Sequence, residues 1–422
     1  MCFQAPEPNT LSVYQVAHPR QLLRVRRLRV ARNVVLLGLV SLFTDISSEM
    51  VATILPLYLF YTLGFTPLQF GIVDGLQQGA AALVRIAGGF VADRTRRHKE
   101  VAGLGYGLSA VSRLGLLAAQ SVTAFGAIVF VDRTGKGIRT APRDALISLS
   151  SERDQLATSF GVHRALDTAG AMLGPLIAFS LLWAAPGDFD AIFVVSFAAA
   201  VIGFAILALF VENRPVQVSA DSPVSLAAAA RLLGSLRFRT LVAVAGVLGL
   251  VTVSDGFLFI ALQKRVEFDE RFLPLLFVGT ALAYMLLAIP VGRIADRYGR
   301  GRTFVFGYMP LLAAYGLLLL PSGGVAEIPL YLGLLGLYYA ATDGVLMALA
   351  SGTLPAALRG SGLALLVTST SLGRLLASIL FGTLWTWYDV ETALAVYAIG
   401  LLLAMALAAI ALRRAPEVEP VE

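Results

Sequence analysis

Charge is scarce in this 422-residue chain: Asp, Glu, Lys and Arg make up 14% of it, against roughly 25% in soluble domains. That excludes an ordinary soluble domain. Lysine is nearly absent, with Lys99, Lys136 and Lys264 the three among 33 basic residues. The arginines that supply the rest sit in short clusters between apolar spans and form no continuous stripe, which argues against a nucleic acid partner. Cysteine is down to Cys2, so no disulfide closes within the chain. Histidine occurs at positions 18, 98 and 163, and no His/Cys/Asp cluster has metal-site spacing. There is no GxxxxGK[ST] phosphate loop and no nucleophile motif. The chain is therefore expected to be no enzyme, to carry no cofactor and to draw on ion gradients instead of phosphate-driven pumping.

What the sequence has in excess is apolar length. Hydrophobic residues make up 57%, and the mean hydropathy is +0.78. A membrane-spanning helix needs about 20 mostly apolar residues. Twelve segments meet that measure, near 33–61, 67–91, 99–120, 122–148, 157–184, 190–212, 239–263, 272–294, 303–320, 327–350, 357–385 and 391–412. The arginines of the short loops fall mainly on one side, which predicts both termini in the cytoplasm. A basic leader, 1–32, precedes the first span, and its Leu and Val residues interleave with arginines in a way that suits a helix on anionic lipid. The polar stretch 213–238, with Pro215 and Pro223, divides an N-terminal half, 33–212, from a C-terminal half, 239–412, before a short tail, 413–422. The expected fold is an all-α membrane protein, 12 transmembrane helices as two six-helix pseudo-repeats around a central cavity.

Two loops carry the sign of duplication: GFVADRTRRHK from Gly89 and GRIADRYGRGR from Gly292. Each closes one span and opens the next, about half a chain apart. An Asp there is expected to cap a helix start and pair with Arg, while the glycines let helices approach.

With these loops the chain resembles the major facilitator superfamily, whose second-to-third-helix loop reads GxxxDRxGRR. Gly89, Asp93, Arg94 and Arg97 fit the first copy, with Arg96 where the family prefers Gly. Gly292, Asp296, Arg297, Gly299 and Arg300 fit the second. The resemblance implies that these residues act as gates that lock a conformation. Arg133 and Gly137 in span 4 fit the family's RxxxG pattern, where the Arg is thought to assist proton movement. In span 5, Gly170, Gly174 and Pro175 approach the GxxxGPxxG pattern of members that export solutes against protons, with Ala178 in place of the last Gly. Packing of a kinked helix is the structural alternative for that motif.

An ionisable group within a span is a functional candidate by default. Asp45 and Glu49 lie four residues apart on one helix face, and two such carboxylates repel, which makes them candidates for carrying a proton. Asp132, Arg133, Lys136, Arg139, Arg143 and Asp144 crowd span 4, where Arg133, Lys136 and Arg139 form a drifting stripe. In span 5, Asp167 is spaced to pair with Arg164 and is near enough in depth to meet Arg133. Asp45, Glu49, Asp132, Arg133 and Asp167 are thus the proton-coupling candidates. Asp74, Gln77, Gln78, Arg113, Lys136, Asp255, Gln263, Tyr338, Asp343 and Arg374 are the substrate-cavity candidates, with Asp255 and Arg374 at a depth where they could pair.

The expected function is proton-coupled efflux of a small polar or charged solute by alternating access, performed by a multi-pass monomer in a cell membrane, a bacterial inner membrane in particular. Its partners are a small-molecule substrate, protons and the lipid bilayer. A proton-coupled importer of an organic anion, using the span 4 stripe, and an uncoupled facilitator stay open beside it, as does a non-transporting membrane scaffold or sensor.

Overall fold

The computed structural model describes residues 30–95, 97–152, 155–213, 232–321, 324–355 and 358–414. Most of the basic leader, of the 213–238 linker and of the tail lies outside the described residues. The described chain is helical and has no strand. Its first six helices are α1 (Arg32–Leu57, continued by a π-helical turn Tyr58–Thr62), α2 (Pro67–Thr95), α3 (His98–Ala118), α4 (Val122–Leu149), α5 (Leu156–Ala184) and α6 (Phe189–Phe210). After the linker come α7 (Leu236–Leu250), α8 (Asp255–Val266), α9 (Leu273–Tyr298), α10 (Arg300–Phe306), α11 (Met309–Leu319), α12 (Glu327–Ser351), α13 (Arg359–Trp387) and α14 (Val390–Arg414).

Ten helical runs among the described residues are long and apolar enough to cross a membrane. α2 and α4 have the length, 29 and 28 residues, but α4 is interrupted by the six charged side chains named above. Short polar turns end the helices. Ser121 and Asp188 cap α4 and α6 by accepting the backbone N–H groups of Ala124 and Ala191 at 3.2 and 3.0 Å.

Two of the segments expected as single spans are broken. The run 239–263 divides into α7 and α8 at residues 251–254, and inside a membrane the freed backbone groups need partners. Tyr315 of α11 supplies both: its hydroxyl accepts from the Val253 N–H at 2.8 Å and donates to the Val251 carbonyl at 3.2 Å. The run 303–320 divides at Gly307–Tyr308, just before Pro310, which has no N–H and crowds the preceding turn.

Packing repeats between the two sets. α1 packs on α5 and α6, α2 on α4, and α3 on α4 and α6. With α7/α8 and α10/α11 each taken as one interrupted helix, the second set does the same: α7 on α13 and α14, α9 on α12, and α10/α11 on α12 and α14. The joints between sets obey the same relation, α2 on α13 and α5 on α9.

Those joints close one end of the bundle, the end away from Arg32 and Arg414, here termed distal. Gly71 and Gly382 admit the facing backbone so closely that an added Cβ would lie 2.4 Å from the Ser378 and Pro67 carbonyl oxygens. Phe257 meets Phe70 at 4.7 Å, Phe60 at 6.4 Å and Trp385 at 5.7 Å between ring centres. Lys264 stands over the rings of Trp385 and Phe60. Tyr61 donates to Gln263, and the Leu68 N–H donates to Thr386 at 2.8 Å. Phe272 packs on Phe179 and Trp183. At the other, terminal end, Asp144, Arg164, Asp296, Arg300 and Asp343 all stand exposed or half-exposed.

Candidate functional site

The site begins with two glycines. A Cβ on Gly170 would lie 2.4 Å from the Leu42 carbonyl oxygen, and one on Gly174 would lie 2.9 Å from the Ile46 carbonyl oxygen and Glu49 Cβ. α5 therefore runs against the α1 backbone itself, which is the packing alternative foreseen for this motif. The consequence is chemical: Asp45 of α1 and Asp167 of α5 come within hydrogen-bonding reach of one another. Two carboxylates share a hydrogen bond only when one of them holds a proton, because an ionised carboxylate is acceptor-only.

Basic groups surround this pair. Arg143 of α4 lies 3.9 Å from Asp167, 2.9 Å from Asp144 and 3.4 Å from the Ser41 hydroxyl. Arg164 reaches Asp167 at 3.2 Å, the local pair its spacing suggested. Ser41 also bonds His163 Nε2 at 2.9 Å, so the histidine is buried and engaged. Lys136 interacts through space with both Asp45 and Glu49. Asp167 does not meet Arg133, contrary to the depth argument. Its cationic neighbours are Arg143, ten residues further along α4, and Arg164 of its own helix.

Deeper in the first half lies a separate ion group. Asp132 accepts from Arg113 at 2.9 Å and lies 3.4 Å from Arg133, with Arg113 also donating to Ser48 at 3.2 Å. Arg139 donates to Ser109 at 2.9 Å and stacks over Tyr106 at 4.7 Å. The basic stripe of span 4 thus splits. Arg113 and Arg133 neutralise Asp132, Arg139 faces α3, and Lys136 looks toward α1. α3 and α4 cross closely enough for this because Gly105 and Gly135 lie back to back.

The second half is arranged otherwise. Asp255, the first residue of α8, accepts from the Tyr339 hydroxyl at 2.8 Å. Arg374 lies 3.8 Å from Asp343 and donates to Tyr338 at 3.4 Å. The expected Asp255–Arg374 pair is therefore not formed, since Arg374 turns to α12. A cavity of about 180 Å³ opens among Asp255, Phe277, Thr280, Ala281, Tyr284, Tyr339 and Asp343. Tyr338 is buried between the rings of Tyr308 and Tyr339. Gln263 belongs to the distal closure. Asp74 of α2 accepts from Ser378 of α13 at 2.5 Å, joining the halves near mid-depth. Gln77 and Gln78 are half-buried on α2.

Of the gate candidates, Asp296 lies in the last turn of α9 and pairs with Arg300 at 2.7 Å, so it caps no helix start. Arg300 also donates to the Ala348 carbonyl of α12 at 3.3 Å. Gly299 ends α9 at φ 104°, a conformation that favours glycine. Arg297 stacks over Tyr298, and Gly292 has no neighbour for an added Cβ. The side chains of Gly89, Asp93 and Arg94 lie outside the described residues. Arg97 is exposed just before α3.

Sequence reasoning did not single out Thr280, Ser378, Ser41 or Tyr315. A hydroxyl in an apolar span usually bonds its own backbone one turn back, and nothing in the linear sequence distinguishes these from the many that do so.

A duplicated helical bundle closed at one end, with buried ionisable groups in both halves, is the architecture of a multi-pass membrane transporter. The sequence matches the Major Facilitator Superfamily over residues 37–273 and 256–422, and the chain belongs to that superfamily. It is 31% identical over 368 residues to an uncharacterized MFS-type transporter of Methanocaldococcus jannaschii, covering 84% of this chain and 89% of that one. An uncharacterized protein of Mycobacterium tuberculosis is 36% identical over 153 residues, which is 36% of this chain and 37% of that protein. Among solved structures, the nucleoside transporter NupG superposes with a TM-score of 0.76 at 16% identity, over 90% of this chain and 99% of that one. A peptide transporter in complex with alafosfalin superposes with a TM-score of 0.74 at 15% identity, over 92% and 94%. These two likenesses concern the fold.

Proposed function

We propose that this protein is a secondary active transporter that exports a small polar or charged solute in exchange for protons. The observation that carries the reading is the approach of Asp45 to Asp167, set by the α1/α5 glycine contact and ringed by Arg143, Arg164 and Lys136. Asp167 keeps 17% exposure, which on this reading gives the pair a route to water. Gaining or losing a proton there changes the net charge of the α1/α4/α5 contact, which biases the balance between two arrangements of the halves. Export rests on the likeness of Gly170, Gly174 and Pro175 to the exporters' pattern.

Twelve spans are part of this reading: α2 carries the chain between α1 and α3, and α4 carries it between α3 and α5. An even number puts both termini on one side, and the loop arginines make that side the cytoplasm. On this reading the halves, 33–212 and 239–412, are joined at their outer ends and the protein faces inward. The Asp296–Arg300 pair and its partner loop act at the inner ends as the gate, in a monomer of a cell membrane.

The test is solute-driven proton movement in proteoliposomes carrying a trapped pH-sensitive dye and challenged with a panel of charged and zwitterionic metabolites. The wild type moves protons on addition of a transported member, and Asp45→Asn does not, while keeping its gel-filtration profile. Undiminished proton movement in Asp45→Asn would sink the assignment.

A further inference from the structure

The 180 Å³ cavity of the second half has features that the proton-coupling account does not use. Its charge is unbalanced. Asp255 takes a hydrogen bond from a neutral phenol, and no Lys or Arg forms an ion pair with it among the described residues. Asp343 is half-exposed and reaches Arg374 only at 3.8 Å. Two carboxylates thus face one guanidinium, and Asp74 of the first half acts on Asp255 as a further acid. The cavity also holds an idle hydroxyl. Thr280 is 5% exposed, lines the cavity, and its Oγ1 has no hydrogen-bond partner, which is a destabilising arrangement unless a ligand completes it. The walls are the rings of Phe277, Tyr284 and Tyr339, surfaces that attract a cation held over them.

We infer that this pocket takes the organic ammonium group of the transported solute, with Asp255 and Asp343 as counter-charges, Thr280 accepting one N–H and the aromatic rings enclosing the stem. A water molecule occupies about 30 Å³, so the cavity is several times larger than a bare metal ion fills, and it offers a metal only two carboxylates. An ammonium with a short carbon stem fits both the size and the rings. This assignment names a substrate class for the transporter proposed above and rests on that reading.

The experiment is equilibrium binding of radiolabelled phenethylammonium to the full-length protein in lipid nanodiscs. Binding is expected to be saturable and to be displaced by n-butylammonium. 2-Phenylethanol and 3-phenylpropionate, which keep the ring and lose the positive charge, are expected not to compete. Asp255→Asn, which preserves shape and the Tyr339 contact, should weaken binding about tenfold or more, as loss of a charge-assisted contact does. Thr280→Val should weaken it about threefold, and Asp343→Asn at its half-exposed position gives a second reading should Asp255→Asn fail to fold. Equal competition by the carboxylate, unchanged binding in Asp255→Asn, or saturable sodium binding without ammonium binding would overturn the inference. The transport reading fails separately, by loss of the Asp45-dependent proton movement. Proton movement without ammonium binding removes the substrate class alone.

Discussion

In the first half, Arg113 and Asp132 meet at 2.9 Å with 4% and 6% of their side chains exposed; in the second, Arg374 and Asp343 stand 3.8 Å apart with 26% and 52% exposed. The two halves share one scheme of helix packing, so the difference is one of chemistry placed on a common frame. The first half neutralises its charges internally, in pairs and triads that rigid α3/α4 and α1/α5 contacts hold together. The second leaves carboxylates beside a cavity, with tyrosines where the first half has arginines. On the proposed reading a duplicated fold divides its work: one half holds protons and ion pairs, the other meets a solute.

The widest gap between the halves should appear on deleting the two arginines. Removing Arg113 leaves the buried Asp132 with only its longer 3.4 Å contact to Arg133, a loss of pairing that costs up to about 3 kcal/mol, whereas a partly exposed pair is worth at most about 1 kcal/mol. Arg113→Ala is therefore expected to lower the thermal midpoint in detergent sharply, and Arg374→Ala to lower it little. Equal shifts would erase the distinction. Next come the glycines. Gly170→Ala would force a Cβ to within 2.4 Å of the Leu42 carbonyl oxygen, an overpacking that costs about 1–3 kcal/mol and parts Asp45 from Asp167. Gly333→Ala, in α12 with open space around it, should stabilise by about 0.5–1 kcal/mol. Thermal midpoints of the two variants, moving in opposite directions, check this.

The smallest effect lies in the distal loop, outside the spans. The Arg271 side chain and backbone N–H both donate to Asp269 and hold its carboxyl down at about 2. The folded value is depressed, so the stability it confers is present above the ordinary carboxylate range and is lost as pH falls through about 2. The pair is exposed, so solvent screening keeps that contribution small. A carbon-13 titration of Asp269 should show the low midpoint, and Arg271→Ala should raise it part of the way toward the ordinary carboxylate value of about 3.9, since the backbone N–H of residue 271 still donates. An unmoved midpoint would mean that another group holds the carboxyl.

How much of this was legible beforehand depends on the direction in space. Depth was readable: rise per residue places Asp45, Asp132, Asp167 and Arg374 within spans, and the two DR loops reveal the duplication. Neighbours across helices were not. Asp167 was matched by depth to Arg133, yet the α1/α5 contact turns it to Asp45 and Arg143. Arg374 was matched to Asp255, yet it turns to Asp343 and Tyr338. Facing is decided by helix rotation and crossing, which depend on where glycines such as Gly105, Gly135 and Gly170 let backbones touch. The break at residues 251–254 carries no sequence signal for a related reason, since it is held by a tyrosine hydroxyl some 60 residues away in the chain.

The central claim, that a proton held between α1 and α5 biases the two arrangements of the halves, is tested without a solute by measuring distance across the inner ends. Spin labels at Phe160→Cys on α5 and Tyr298→Cys on α9, in a Cys2→Ser background, report that distance by pulsed electron resonance as pH is varied. The distance distribution is predicted to shift between its open and closed populations as pH changes, and Asp45→Asn is predicted to hold it fixed at one population across the range. A pH response in Asp45→Asn equal to that of the parent would contradict the account.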